Sequence, residues 1–91
     1  MELKDRFLKY VSYDTQSSEQ SRTFPSTDKQ LVLLRELADE MKALEMTEVT
    51  MDAHGYVMGT VPATPGCESA PVVGFIAHVD TSPDMSGKDV R

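Results

Sequence analysis

Apolar positions follow two rhythms along this chain, and the change between them marks out its parts. Leu3, Phe7, Leu8 and Val11 recur at near-helical spacing, which predicts a short amphipathic helix over residues 2–12 with its charges turned outward. That stripe needs a partner. From Ser12 to Thr23 the chain turns to Ser, Gln, Thr and charged residues, a polar loop long enough to be either mobile or functional. Pro25-Ser26-Thr27-Asp28 then reads as a helix start. Ser26 or Thr27 can accept hydrogen bonds from free backbone N–H groups there, and Asp28 suits the positive helix end. In the helix predicted over about 27–45, Leu31, Leu34, Ala38 and Met41 interleave with Leu33, Leu37 and Leu44 to form a broad apolar face. Arg35, Glu36, Asp39, Glu40 and Lys42 form its solvated side.

The period then shortens. Val49–Asp52 and Tyr56–Val61 are β-prone segments separated by Ala53-His54-Gly55, with Gly55 free to take a positive φ, and they read as a hairpin. Pro62 to Pro71 is a punctuated loop, and after it Val72-Val73-Gly74-Phe75-Ile76-Ala77 runs apolar without alternation, the pattern of a strand buried on both faces. Such a strand requires covering layers that two helices cannot supply while also serving a hairpin. The expectation is therefore an α/β chain, with two helices, a β-hairpin and a buried strand, that forms the opening of a larger domain.

Composition narrows the functional classes. With 91 residues there is room for one small domain, and 40% hydrophobic with 26% charged residues is an ordinary globular balance. A formal charge of −6 with scattered basic residues argues against nucleic acid as a partner. The longest apolar run is too short for a membrane span, and residues 1–10 lack the pattern of a signal peptide, so a cytoplasmic location is expected. A lone Cys67 suits a reducing compartment and carries no catalytic role.

The candidate chemistry sits where the apolar run ends, at His78-Val79-Asp80. On extended backbone these two side chains share a face, so an imidazole and a carboxylate can address one site. A neutral imidazole ligates zinc well, and such histidines usually donate their other ring N–H to a carboxylate or carbonyl. As a bare pattern the triplet recurs by chance, and a structural histidine at a strand end is its commoner explanation. His54 reads as an exposed turn residue, and Asp84 as a turn former after Pro83. Ser82 lacks a nucleophile-elbow motif, and no phosphate-binding glycine loop occurs.

The run Gly74 to Asp84 closely resembles the first metal motif of the peptidase T family of bacterial aminotripeptidases. Arg6 to Val11, continuing through Asp14-Thr15-Gln16-Ser17, is similar to that family's amino-terminal helix and loop, and Pro25-Ser26-Thr27 with Gln30 to its second helix start. The resemblance covers essentially the whole chain in order. It implies a two-zinc exopeptidase with an α/β/α catalytic domain and a mixed sheet, cleaving the amino-terminal residue from tripeptides in the cytoplasm as a homodimer. On that resemblance His78 is a zinc ligand and Asp80 a catalytic aspartate. The family's general-base glutamate and remaining metal ligands come from later segments, and no Glu-Glu pair occurs in these 91 residues. The expectation is an amino-terminal fragment, with no second domain, that is inactive alone, binds zinc weakly and self-associates through 72–77. Rival readings are another two-zinc exopeptidase or amide deacylase, such as a dipeptidase or a succinyl-amino-acid hydrolase, and a non-catalytic α/β interaction module.

Overall fold

The computed structural model describes residues 2–89. Helix α1 spans Leu3–Val11, helix α2 Gln30–Ala43, and strands β1 (Thr47–Met51) and β2 (Val57–Thr60) form one antiparallel pair. The α/β class, both helices and the hairpin match the sequence reading.

Helix α2 and the hairpin make the core. Leu33, Leu34 and Ala38 are the buried apolar side chains of α2, and the hairpin lies across that face. Two glycines allow the close approach. At Gly55 a Cβ would stand 3.1 Å from Leu34 Cδ1, and at Gly59 one would stand 3.2 Å from both Met41 Sδ and Met46 Cε. Gly55 also holds φ 86° in the turn, where its N–H bonds to the Asp52 carbonyl and the Asp52 carboxylate receives the N–H groups of His54 and Tyr56. Between Thr47↔Thr60 and Thr50↔Met58 the register slips by one, leaving Glu48 and Val49 opposite Gly59 as a β-bulge, with Glu48 at φ 53°.

Helix α2 begins later than the sequence implies. Its first hydrogen-bonded residue is Gln30, and Lys29 precedes it with no side-chain cap. Ser26 and Thr27 are engaged elsewhere: Ser26 Oγ accepts from the Ser18 N–H at 3.1 Å, and Thr27 Oγ1 donates to the Gln16 carbonyl at 2.9 Å. The hydroxyls expected to cap the helix instead tie down the polar loop. At the other end Met46 N–H bonds to the Met41 carbonyl across Glu45 at φ 63°, a Schellman closure with glutamate in the position glycine usually takes.

Helix α1 inverts the expected orientation. Leu3, Phe7 and Leu8 are exposed, and the helix buries no residue. Its polar side faces α2: Lys9 pairs with Glu36 and Glu40, Tyr10 OH donates to Glu40, and Arg6 Nε stands 3.4 Å from Glu40 Oε2. The apolar stripe has no partner among the described residues.

The buried strand predicted over Val72–Ala77 is not formed. Those residues carry no regular structure, and Val72, Val73, Phe75 and Ile76 are exposed. A strand exists only through neighbouring backbone, and none of the described elements lies beside this run. The covering faces are absent too, since α2 is occupied by the hairpin. Among the described residues the sheet is this one antiparallel pair, with an isolated parallel bridge between Gln16 and Thr81.

Candidate functional site

The site grows from the end of the exposed apolar run. Residues 71–80 carry no regular structure, yet His78 and Asp80 meet, with His78 Nδ1 2.8 Å from Asp80 Oδ1. An ionised carboxylate can only accept, so Nδ1 donates and the proton sits there. In the neutral ring that leaves Nε2 with its lone pair available. The imidazole is 84% exposed and the carboxylate 41%, and among the described residues Asp80 is the ring's one hydrogen-bond partner.

What holds Asp80 is the loop after α1. Thr81 N–H donates to the Thr15 carbonyl at 3.1 Å, and the Thr81 carbonyl receives both Ser17 N–H and Ser17 Oγ at 2.9 Å. Gln16 Nε2 donates to the Pro83 carbonyl at 2.9 Å. Thr15 is only 3% exposed, beneath this junction. The loop is in turn anchored to the start of α2: Asp14 Oδ1 accepts from Gln16 N–H at 3.2 Å, and Asp14 Oδ2 pairs with Lys29 Nζ at 3.1 Å. The Gln16 N–H, with Lys29 beside it, holds the Asp14 carboxyl below its ordinary value.

The sequence reading put His78 and Asp80 within reach of each other, as the structure has them, and missed the loop that supports them. Polarity alone marked residues 12–23 as a loop, and the only available sign of a role was its length. The other candidates behave as plain turn residues. Asp84 N–H bonds to Ser82 Oγ at 3.2 Å, His54 lies in the exposed hairpin turn, and Cys67 is free and exposed. Beside the junction Gln16, Ser17, Thr27, Lys29 and Asp84 help line an open concavity of about 420 Å³.

The fit to zinc is partial. One imidazole presents a free nitrogen and its other nitrogen is bonded to a carboxylate, the arrangement seen at metal-bound histidines. A catalytic zinc site takes three protein ligands, and no group of three His, Cys, Asp or Glu side chains that could hold a metal occurs among the described residues.

No family model matches the chain. Individual proteins do. The chain is 53% identical over 87 residues to Peptidase T of Clostridium novyi (strain NT), covering 96% of this chain and 21% of that protein. It is 53% identical over 91 residues to Peptidase T of Parabacteroides distasonis, covering 100% of this chain and 22% of that protein. With Peptidase T of Caldanaerobacter subterraneus subsp. tengcongensis the identity is 55% over 87 residues, 96% of this chain and 21% of the other. From end to end, then, the chain is similar to peptidase T, and it spans about a fifth of the length of those relatives.

Proposed function

We propose that this chain is the amino-terminal part of a zinc-dependent aminopeptidase that removes the first residue from tripeptides. One observation carries the reading: the His78–Asp80 hydrogen bond, with Nε2 left free, lies within a sequence more than half identical to proteins named Peptidase T. In this reading His78 is one metal ligand and Asp80 holds its tautomer and raises its basicity. Zinc at such a site lowers the pKa of a bound water and polarises a carbonyl. The 91 residues supply one ligand and its partner, and the remaining ligands and the general base belong to the rest of the protein. Two zinc ions, a cytoplasmic location and a homodimer complete the proposal. No helix among the described residues is long and apolar enough to cross a membrane.

The test is a substrate panel given to the protein expressed from the continuous reading frame. Hydrolysis of tripeptides, with dipeptides and succinylated amino acids left intact, is the expected result, and a preference for either of those two would replace the reading with the corresponding exopeptidase or deacylase. The 91-residue chain alone is expected to leave tripeptides intact and to show no sub-micromolar zinc binding by calorimetry. Tight stoichiometric binding lost in His78→Ala would contradict the single-ligand account.

A further inference from the structure

Residues 78–84 are held by very little. Among the described residues, every hydrogen bond this segment makes outside itself goes to Thr15, Gln16 or Ser17. The preceding run 72–77 is exposed and makes none. The segment therefore inherits its conformation from the loop after α1, and that loop does three separate things. Thr15 and Ser17 bracket Thr81 from both sides of its peptide in one parallel bridge, fixing the backbone next to Asp80. Ser17 adds its hydroxyl, so the Thr81 carbonyl accepts two hydrogen bonds from one residue. Gln16 reaches past Thr81 to the Pro83 carbonyl and fixes the direction of the turn that follows.

The chemistry of the loop suits this task. Gln16 has its N–H on Asp14, its carbonyl on Thr27 Oγ1 and its side-chain amide on Pro83, so one residue connects the start of α2 to the turn after the motif. Asp14 and Lys29 lock the far side. Neither Gln16 nor Ser17 hydrogen-bonds to His78 or Asp80; their effect travels along the backbone through Thr81.

We infer that Gln16 and Ser17 are positioning residues for the His78–Asp80 pair: by holding Thr81 and Pro83 they fix the peptide on which Asp80 sits, and so fix which ring nitrogen of His78 is free to bind metal. The inference rests on reading His78 as a ligand and Asp80 as its orienting partner. Its consequence is that the tautomer of an exposed imidazole is set by side chains more than sixty residues away in sequence.

The test reads the tautomer directly, in the 91-residue chain, by long-range 15N–1H NMR at mildly alkaline pH. The wild-type ring is expected to carry its proton on Nδ1. Ser17→Ala and Gln16→Ala are each expected to lower the Nδ1–H to Nε2–H ratio several-fold, with the amide signals of the hairpin residues Tyr56 and Thr60 unmoved. Ser17→Thr, which keeps the hydroxyl, is expected to restore the wild-type ratio. If Ser17→Ala also disturbs the hairpin signals, Gln16→Ala, which removes one side-chain amide, decides. An unchanged ratio in Gln16→Ala would overturn the inference, as would a wild-type ring without the Nδ1 preference. Because this readout needs no turnover, it is separate from the functional reading: failure to hydrolyse tripeptides by the protein from the continuous frame would leave the positioning result standing.

Discussion

Glu40 is the residue on which the contact between the two helices depends. It accepts from Tyr10 OH and pairs with Lys9 and Arg6, and the Tyr10 bond, with those cations, holds its carboxyl below the ordinary 4.5. Tyr10 responds in the opposite direction. Burial, reinforced by the Glu40 carboxylate, pushes its hydroxyl up to about 12 from 10.0. A raised value means the folded state binds the proton more tightly, so this contribution is complete below pH 10.0 and disappears as pH rises through about 12. Tyrosinate absorbance should show a component titrating near 12 that Tyr10→Phe removes. On the acid side Asp14 and Glu40 are both depressed, so their contribution is present above their ordinary values of 3.8 and 4.5 and fades as pH falls below them. Acid unfolding followed by circular dichroism should occur at lower pH in wild type than in a variant with Lys9 and Lys29 retained but Asp14→Asn and Glu40→Gln, which lacks the contribution of the two carboxylates throughout. At the candidate site, replacing the orienting carboxylate should matter more than its exposure suggests. Asp80→Ala in the protein from the continuous frame is expected to lower metal affinity or turnover about 10- to 100-fold, measured by competition with a chelator and by tripeptide hydrolysis. The pairing of His78 with Asp80 was legible because it is local, between residues two apart. Gln16 and Ser17 were not, because their partners lie far along the chain and no local pattern encodes them.

Among the elements, periodicity predicted identity better than orientation. The broad face of α2 specified its own burial, and Leu33 and Leu34 lie at the centre of the core. Leu34→Ala should cost about 2–5 kcal/mol, enough to unfold most of a small chain, and a thermal melt would record it. The hairpin turn was equally readable because Gly55 is the residue that can hold a positive φ there. Gly55→Ala is expected to destabilise by about 1–2 kcal/mol, from the backbone conformation and from the Cβ facing Leu34 Cδ1. Glu45 at the end of α2 gives the reverse prediction. A glycine there removes an unfavourable left-handed conformation, so Glu45→Gly should raise the melting midpoint by the equivalent of about 1 kcal/mol. Two elements defeated the pattern for different reasons. The stripe of α1 predicted an apolar contact, but the arginine, lysine and tyrosine of its other side found carboxylates on α2. The run 72–77 has the composition of a buried strand, yet composition cannot supply the neighbouring strands that would make it one.

For the molecule as a whole, the imbalance lies between its ends. Helix α2 and the hairpin hold the core, while Val72, Val73, Phe75 and Ile76 offer an unpaired, apolar backbone to solvent. Exposed apolar segments with unpaired backbone tend to pair with copies of themselves. Light scattering is expected to show concentration-dependent association of the 91-residue chain, relieved by Ile76→Lys, and a monodisperse monomer at high concentration would count against that.

The junction of Ser17 with Thr81 has a kinetic meaning as well. It joins residues 64 apart, against 13 for the Thr47–Thr60 contact in the hairpin, and loop-closure entropy alone makes it roughly 1.4 kcal/mol harder to form. It should therefore assemble after the hairpin and open before it, so that the Ser17 and Thr81 amides exchange with deuterium while those of the hairpin remain protected. The order of events would then run from scaffold to chemistry: the imidazole acquires its fixed proton only in the last step of folding and loses it in the first step of unfolding.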